Sequence, residues 1–341
     1  MKISVALCTY NGSRFLPDQL ESIRAQTRFP DELVICDDCS SDNTVSLLQT
    51  FKESVSFSIH IHKNSVNLKS TKNFEKCIQL CTGDIIVLSD QDDYWKPCKI
   101  STIASIFEEN PEAGYVFSNA EVVNENLQTL GYDLWESVGF KGEIRDSFLE
   151  GNQLSCLLKQ HIATGATMAF RSEYRSLALP FPEDTAWIHD GWLAIFLSAL
   201  GAPGIPIQEE LILYRQHSNQ QIGASAPVHS QTTPKVLSKS ASLLKKIILV
   251  CSQRSPIDGQ EAFLNTCLIL RNRVGKYDKL NETGSKNYKY LNDYYLHNKN
   301  RESAHKVKLL KKLNLCFGEL SSGRYKEFSN SWKSFLRDVF L

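Results

Sequence analysis

The sequence predicts an α/β protein: a mostly parallel, doubly wound sheet flanked by helices, with a helical C-terminal extension. Three observations predict it. Short β-branched apolar runs alternate with amphipathic stretches through the first ninety residues, the order that winds a parallel sheet. The run Ile85–Leu88 is apolar at every position, as a strand covered on both faces must be. From about residue 225 the chain changes to Lys- and Leu-rich helical patterns.

The elements follow in order. Ile3–Leu7 reads as a first strand, and Thr9-Tyr10-Asn11-Gly12 as turn chemistry. Phe15–Gln26 is a helix with Pro17 near its start, where proline is tolerated. Glu32–Cys36 is a second strand, closed by the polar turn Asp37–Thr44, in which Ser40, Ser41 and Asp42 cap the next helix, to Lys52. Ser56–His62 alternates as a third strand, Lys72–Cys81 is helical, and Asp84–Leu88 is a fourth strand. Beyond it, strands are expected at Gly114–Ala120, Thr164–Arg171 and Leu211–Tyr214, and helices at Asn152–Gln160 and Asp190–Leu200. Residues 223–237 have linker composition. Helical patterns then cover Leu243–Val250, Ala262–Val274, Val307–Leu315 and Tyr325–Leu341. Two domains are expected, 1–224 and 225–341.

Composition bounds the rest. The 341 residues are 42% hydrophobic and 22% charged, enough apolar material for a core. No run of eighteen apolar residues predicts a transmembrane helix, and the N-terminal apolar run is too short for a signal peptide. Ten scattered cysteines do not form the framework of a small secreted protein. Cys36/Cys39 and Cys77/Cys81 have spacings that zinc uses, but their positions at a strand end and in a helix favour buried free thiols. A cytoplasmic protein is therefore expected. The net charge of zero hides an asymmetry. Residues 226–341 hold 21 Lys+Arg against 9 Asp+Glu, net +12, and residues 1–225 hold 17 against 29, net −12. An acidic region that recruits cations and a basic one that meets an anionic surface fit this split, as does a basic tail that docks on the acidic domain.

Polar clusters fall where predicted parallel strands end, the edge where such sheets bind ligands. Asp90-Gln91-Asp92-Asp93 follows the fourth strand. Asp90 and Asp92 offer two hard oxygen ligands to Mg²⁺ or Mn²⁺ and leave room for waters and phosphate oxygens. Such an ion stabilises a departing diphosphate; a solvated acidic turn is the plainer reading. Asp37 and Asp38 end the second strand, where a carboxylate accepts the N3–H of a uracil or thymine ring. Tyr10 would border the base, with Thr9 and Asn11 beside it. Asp190, at the start of an apolar helix, suits either a general base or a helix cap. Arg215 and His217 follow a strand and offer cationic donors to a diphosphate, or form a surface loop.

At this point the chain resembles the family 2 glycosyltransferases, inverting enzymes with a GT-A fold. The resemblance rests on Val5–Gly12, Gln26-Thr27, Pro30, Asp37–Thr44, Gly83–Ile86 and Leu88–Trp95. Thr164–Phe170, His189–Ala194 and Tyr214–Gly223 are similar to a bacterial rhamnosyltransferase-like branch that builds O-antigen, capsule and other surface glycans. The resemblance implies Asp92 as chief metal ligand, Asp90 near the ribose or metal, Asp38 on the pyrimidine and Asp190 as base. Many relatives have Glu-Asp where this chain has His189-Asp190, which leaves the role of His189 open. The resemblance does not extend beyond about residue 225.

The implied reaction moves a sugar from a nucleoside-diphosphate sugar, dTDP-rhamnose or a UDP-sugar, to a hydroxyl of a glycan or lipid-linked glycan, with inversion. Nucleic acid is not an expected partner. The basic C-terminal helices, through Lys245, Lys246, Lys308, Lys311 and Lys312, would contact an anionic membrane surface on its cytoplasmic face; packing on the catalytic domain or a homodimer is the rival use. A sugar-nucleotide nucleotidyltransferase would want a Gly-rich phosphate loop with a basic residue, which Thr9–Gly12 is not. A non-catalytic scaffold is opposed by the joint presence of Asp38, Asp90, Asp92 and Asp190.

Overall fold

The structure, a computed structural model, describes residues 1–183, 185–218, 220, 223–224, 226, 258–329 and 332–340. The chain forms two compact units, Met1–Pro182 with Trp187–Pro227, and Glu183–Ala186 with Val228–Leu341. Among the described residues no helix is long and apolar enough to cross a membrane.

The first unit is a sheet of nine strands among the described residues. They are β1 (Ile3–Thr9), β2 (Glu32–Asp37), β3 (Ser58–Lys63), β4 (Ile85–Ser89), β5 (Tyr94–Trp95), β6 (Tyr115–Val123), β7 (Thr129–Asp133), β8 (Met168–Arg171) and β9 (Gly204–Arg215). Their spatial order is β3-β2-β1-β4-β8-β6-β9-β5, with β7 on β6. β1 to β4 are mutually parallel because helices α1 (Leu16–Arg24), α2 (Thr44–Glu53) and α3 (Lys69–Leu80) carry each crossover. β1, β2 and β4 are buried at every residue, which explains their unbroken apolar character. The far half turns antiparallel at β8, which pairs with both β4 and β6. Ile3, Val5, Leu7, Ile35, Ile85 and Val87 form the centre of the core with Leu16, Leu20 and Ile23 of α1.

Several expectations shift for identifiable reasons. α3 begins at Lys69 rather than Lys72, because a carboxylate of another element, Asp38, accepts the N–H groups of Leu68 and Lys69 at 2.7 and 2.8 Å. The expected strand Thr164–Arg171 opens with a 3₁₀ turn over Gly165–Thr167 before β8. β9 is longer than Leu211–Tyr214; Pro206 and the exposed Gln208 and Glu209 masked its start, and its register on β6 shifts there. Helix α4 (Lys99–Glu109) follows the acidic cluster, and α5 (Leu134–Ser137), α6 (Glu143–Leu149), α7 (Gln153–Lys159) and α8 (Arg175–Ala178) precede α9 (His189–Leu200). All twelve residues of α9 are buried, so it shows no solvent stripe.

The second unit is helical: Asp258–Val274, Glu282–His305, Leu309–Ser321, Arg324–Phe328 and Trp332–Phe340. The expected helix at Leu243–Val250, with Lys245 and Lys246, lies outside the described residues. Glu282–His305 escaped the periodicity reading because it is polar on most faces; Asn281 caps it by accepting the N–H of Gly284 at 2.7 Å. Tyr325 and Phe335 pack with Ala304 and Cys316 in its core. The expected helix Tyr325–Leu341 is two shorter ones.

Candidate active site

The parallel register pairs Thr9 with Asp37 and Leu7 with Ser89. The loops after β1, β2 and β4 therefore leave the sheet at one edge. β1 sits between β2 and β4, so the crossovers diverge on either side of it and a crevice opens at that switch point. A cavity of about 450 Å³ occupies it, lined by Thr9, Tyr10, Asp38, Asp90, Asp92 and Asp190 among others. Of the expected site residues, Asn11, Asp37, Arg215 and His217 are not on its wall.

The acidic loop is held from several sides. Gln91 clamps the backbone of Tyr10, accepting its N–H at 2.8 Å and donating to its carbonyl at 3.0 Å. A Cβ on Gly12 would lie 2.1 Å from Gln91 Oε1, so this approach requires glycine. The carboxylate of Asp90 has no hydrogen-bond partner among the described residues. Burial, then the negative charges of Asp92 and Asp190, raise its pKa to about 7 against the pull of Lys99. Asp92 Oδ2 meets His217 Nε2 at 2.9 Å, which orients it. Asp93 points away from the cavity. Its Oδ1 accepts the N–H of Arg215 at 3.0 Å and its Oδ2 is buried without a partner. Burial and the charges of Asp92 and Asp90 push its pKa far up, which favours the neutral acid.

These features fit a divalent cation. Two carboxylates one residue apart, with unpartnered oxygens, face one cavity, and burial together with the neighbouring negative charge makes Asp90 reluctant to ionise. A bound cation would remove that penalty. No group of three His, Cys, Asp or Glu side chains forms a closed metal cage among the described residues. Asp90 and Asp92 would thus hold an ion whose shell is completed by phosphate and water oxygens, the mode Mg²⁺ favours.

Asp190 begins α9 and is 4% exposed. Its Oδ1 accepts the N–H of Gly191 at 2.7 Å and meets His161 Nε2 at 3.1 Å; its Oδ2 accepts the N–H of Gly165 at 2.7 Å. Burial opposes ionisation, but the charge and hydrogen bond of His161, with the Gly191 N–H, outweigh it and hold the carboxyl far below the usual range. His189 stacks on Phe74 at 4.1 Å, and both its ring nitrogens are buried without a partner. Burial lowers its pKa, so the ring is neutral near pH 7.

Asp38 organises the neighbouring loop. Oδ1 accepts from Asn64 Nδ2 at 2.8 Å and from the Leu68 N–H, and Oδ2 from the Lys69 N–H. A carboxylate has about four lone-pair sites, so one remains on Oδ2. Asp37, expected beside the base, turns inward instead: Thr9 Oγ1, Ser40 N and Ser40 Oγ all donate to it, and it is fully buried. Asn11 accepts the N–H of Ser41 at 2.8 Å and braces the same turn. Tyr10 is half exposed at the cavity rim.

Arg215 is also placed differently from the expectation. It is 2% exposed and donates to Asp92 O, Glu125 O and Asp18 Oδ2 at 2.8, 2.6 and 2.7 Å, with its guanidinium 4.7 Å from the Phe15 ring. Each of its three guanidinium nitrogens thus has a protein partner, and two of these bonds fasten the acidic loop to α1. Two residues that the sequence reading passed over matter here. His161 lines the cavity and touches Asp190. Lys99, fully buried, donates to Ala166 O at 2.7 Å and sits 3.8 Å over Trp95; burial lowers its pKa to about 7, against the charges of Asp93 and Asp90. Only the acidic loop's need for a counter-charge hinted at such a lysine.

A family model described as Glycosyl transferase family 2 matches residues 4–175, half of the chain. The chain belongs to glycosyl transferase family 2. It is 25% identical to an uncharacterized glycosyltransferase, alr2836, of Nostoc sp. over 68% of this chain and 70% of that one. It is 28% identical to the dTDP-rhamnosyl transferase RfbG of Shigella flexneri over 64% of this chain and 74% of the other. The S. aureus TarS 1-349 structure in complex with UDP-GlcNAc matches its fold with a TM-score of 0.57 at 15% identity, covering 99% of this chain and 89% of that one. This family 2 glycosyltransferase therefore has the GT-A fold expected from its sequence, with helices added at its C-terminal end.

The clamp role of Arg215 is testable. Arg215→Ala leaves several buried groups unpaired, each costing about 1–3 kcal/mol. It is expected to lower the unfolding free energy measured by urea titration by roughly 2–4 kcal/mol. Wild-type stability combined with weakened nucleotide binding would instead return the residue to the diphosphate.

Proposed function

We propose that the enzyme transfers a sugar from a pyrimidine nucleoside diphosphate to a glycan hydroxyl by single displacement, with inversion. One observation carries the reading: Asp38, Asp90, Asp92 and Asp190, from three separate segments, line the same cavity. Asp38 offers its remaining Oδ2 lone pair to the N3–H of uracil or thymine, and Tyr10 borders the ring. Asp90 and Asp92 hold Mg²⁺ or Mn²⁺ together with the diphosphate. When bound, that ion neutralises the charge that develops on the leaving diphosphate. The base that removes the acceptor proton is built on Asp190. The name of the Shigella flexneri relative and the likeness of Thr164–Phe170 and Tyr214–Gly223 support dTDP-rhamnose as donor, with a UDP-sugar as the second choice. An O-antigen or capsule precursor is the matching acceptor.

The helical unit supports contact with an anionic membrane, where lipid-linked acceptors lie. Leu309, Leu310, Phe317 and Trp332 are 64, 80, 55 and 61% exposed, beside Lys308, Lys311 and Lys312. Phe317 and Trp332 both pack on Phe335, at 5.2 and 5.4 Å, so they form one apolar surface. Apolar side chains among lysines are the composition that docks on anionic bilayers.

Three outcomes are expected. Incubation with a panel of sugar nucleotides and Mn²⁺ or Mg²⁺ should release nucleoside diphosphate, and Asp92→Ala should abolish this without changing the circular dichroism spectrum. Full activity of Asp92→Ala in metal-free buffer would remove the metal role, and release of pyrophosphate would indicate nucleotidyl transfer. Asp190→Asn should keep nucleotide affinity and lose transfer by roughly a hundredfold or more; an unchanged kcat would leave Asp190 a helix cap. In flotation with vesicles containing anionic lipid, Leu310→Glu combined with Phe317→Glu should abolish co-migration of the full chain, and equal flotation of both proteins would refute the docking surface.

A further inference from the structure

We propose that His161 is a positioning residue for the base: it fixes which oxygen of Asp190 meets the acceptor hydroxyl, and the charge on its ring sets how readily that carboxylate takes the proton. This rests on the reading of the cavity as a glycosyl-transfer site with Asp190 as its base.

The hydrogen bonds single out one oxygen. Oδ1 of Asp190 accepts the Gly191 N–H at 2.7 Å and meets His161 Nε2 at 3.1 Å, and Oδ2 accepts the Gly165 N–H at 2.7 Å. A carboxylate has about four lone-pair sites, so these bonds fill Oδ1 and leave one site on Oδ2. Without His161, Oδ1 would keep a site of its own and a hydroxyl could address either oxygen. An ionised carboxylate only accepts hydrogen bonds, so Nε2 carries the hydrogen whether the ring is neutral or charged, and Nδ1 is the atom that titrates. The His161 side chain is 38% exposed on the cavity wall, against 6% for Asp190, so the ring exchanges protons with solvent while the carboxylate stays covered.

The backbone is shaped for this contact. His161 lies just beyond the end of α7, and a Cβ on Gly191 would lie 2.6 Å from its Cδ2 and 2.8 Å from its Nε2. Glycine within the first turn of α9 costs helix stability, and here it admits the imidazole edge.

The ring charge acts in one direction. Burial works against a charged ring, but the charge and hydrogen bond of Asp190 outweigh it, so His161 titrates above the ordinary histidine range. While the ring is charged, burial, which alone would make Asp190 more basic, is overcome by the charge of His161, and the carboxylate accepts protons poorly. When Nδ1 loses its proton, the hydrogen bond to Oδ1 stays and the charge goes, so Asp190 becomes the stronger base. Transfer is therefore faster above the His161 pKa than below it. In the step itself, the acceptor O–H bond breaks, its proton goes to Oδ2 of Asp190, and its oxygen bonds the anomeric carbon. The anomeric carbon–phosphate oxygen bond breaks with its electron pair leaving on the diphosphate. The other titratable groups that bear on the pair are His189 of α9, Tyr214 of β9 and Asp90 of the acidic loop. Burial keeps His189 and Tyr214 neutral near pH 7. Asp90, raised by burial and its acidic neighbours to about 7, is held ionised when a cation is bound.

The pH profile of the full chain tests this. With a sugar nucleotide that releases nucleoside diphosphate, and with donor and Mn²⁺ saturating, the wild-type rate should fall by roughly tenfold between about pH 8 and about pH 6. His161→Gln keeps a hydrogen-bond donor for Oδ1 and carries no charge, so its rate should fall by less than about twofold over the same range. His161→Phe keeps a ring and loses the hydrogen bond, so its kcat should drop by roughly tenfold or more at every pH, with donor KM unchanged. An acid limb in His161→Gln equal to that of the wild type overturns the charge role. A His161→Phe kcat equal to that of His161→Gln overturns the orienting role. If no sugar nucleotide releases nucleoside diphosphate, the glycosyl-transfer reading falls, and histidine NMR on the free protein still decides the pairing. The His161 signal, identified by its loss in His161→Gln, should titrate above the ordinary histidine range and move down in Asp190→Asn. A titration indifferent to Asp190→Asn overturns the inference.

Discussion

Four carboxyl groups, Asp90, Asp92, Asp93 and Asp190, converge on one small region, and their mutual repulsion is the constraint around which the rest of the first unit is arranged. Bringing carboxylates together in a partly buried cavity is unfavourable unless each finds a counter-charge, a donor or a proton. The structure supplies a different remedy to each. Asp93 is driven toward its neutral form. Asp92 is met by His217, and its backbone carbonyl by Arg215. Asp190 has two backbone N–H groups and His161. Asp90, with the lysine Lys99 acting on it from the core, keeps its carboxylate unpartnered, which leaves it available to a cation. Residual strain of this kind is concentrated at sites that bind charge, where the ligand relieves it.

Holding such a group in place requires stiff loops, and the stiffness comes from contacts between elements far apart in sequence. Gln91 spans to Tyr10, Asp38 caps the start of α3, and Asn11 braces the turn after β2. Arg215, at the end of β9, reaches Asp18 on α1 and the carbonyl of Asp92. The loops after β1, β2 and β4 are thereby bound to each other as well as to the sheet. The helical unit solves its own polar problem in a similar way: buried His297 bridges Glu319 and Ser329, at 2.7 Å each, and Asp338 takes Arg301 and Tyr325. Burial opposes the ionisation of Glu319, but its partners His297, Arg324 and Asn300 lower its pKa to about 2. This unit leaves the apolar side chains of Leu310, Phe317 and Trp332 exposed.

The sequence by itself determined the alternation of strands and helices through β4, because periodicity and turn chemistry are local. It also singled out Asp38, Asp90, Asp92 and Asp190, which line one cavity in the fold, since motif spacing at strand ends and a helix start survives in one dimension. It missed Glu282–His305, whose stability comes from packing rather than an apolar stripe, and the start of β9, where Pro206 hid a strand that pairs irregularly. What only the tertiary structure decided was the direction in which each polar side chain points. Asp37 and Asp38 are neighbours, yet one turns into the loop and the other to the cavity, because successive residues leaving a strand face opposite ways. Arg215 reads as a phosphate ligand in the chain and is a buried clamp in the fold. His161 stands twenty-nine residues from Asp190, and no local pattern joins them. Their pairing exists only because α9 packs its glycine-bearing first turn against the loop that carries the histidine.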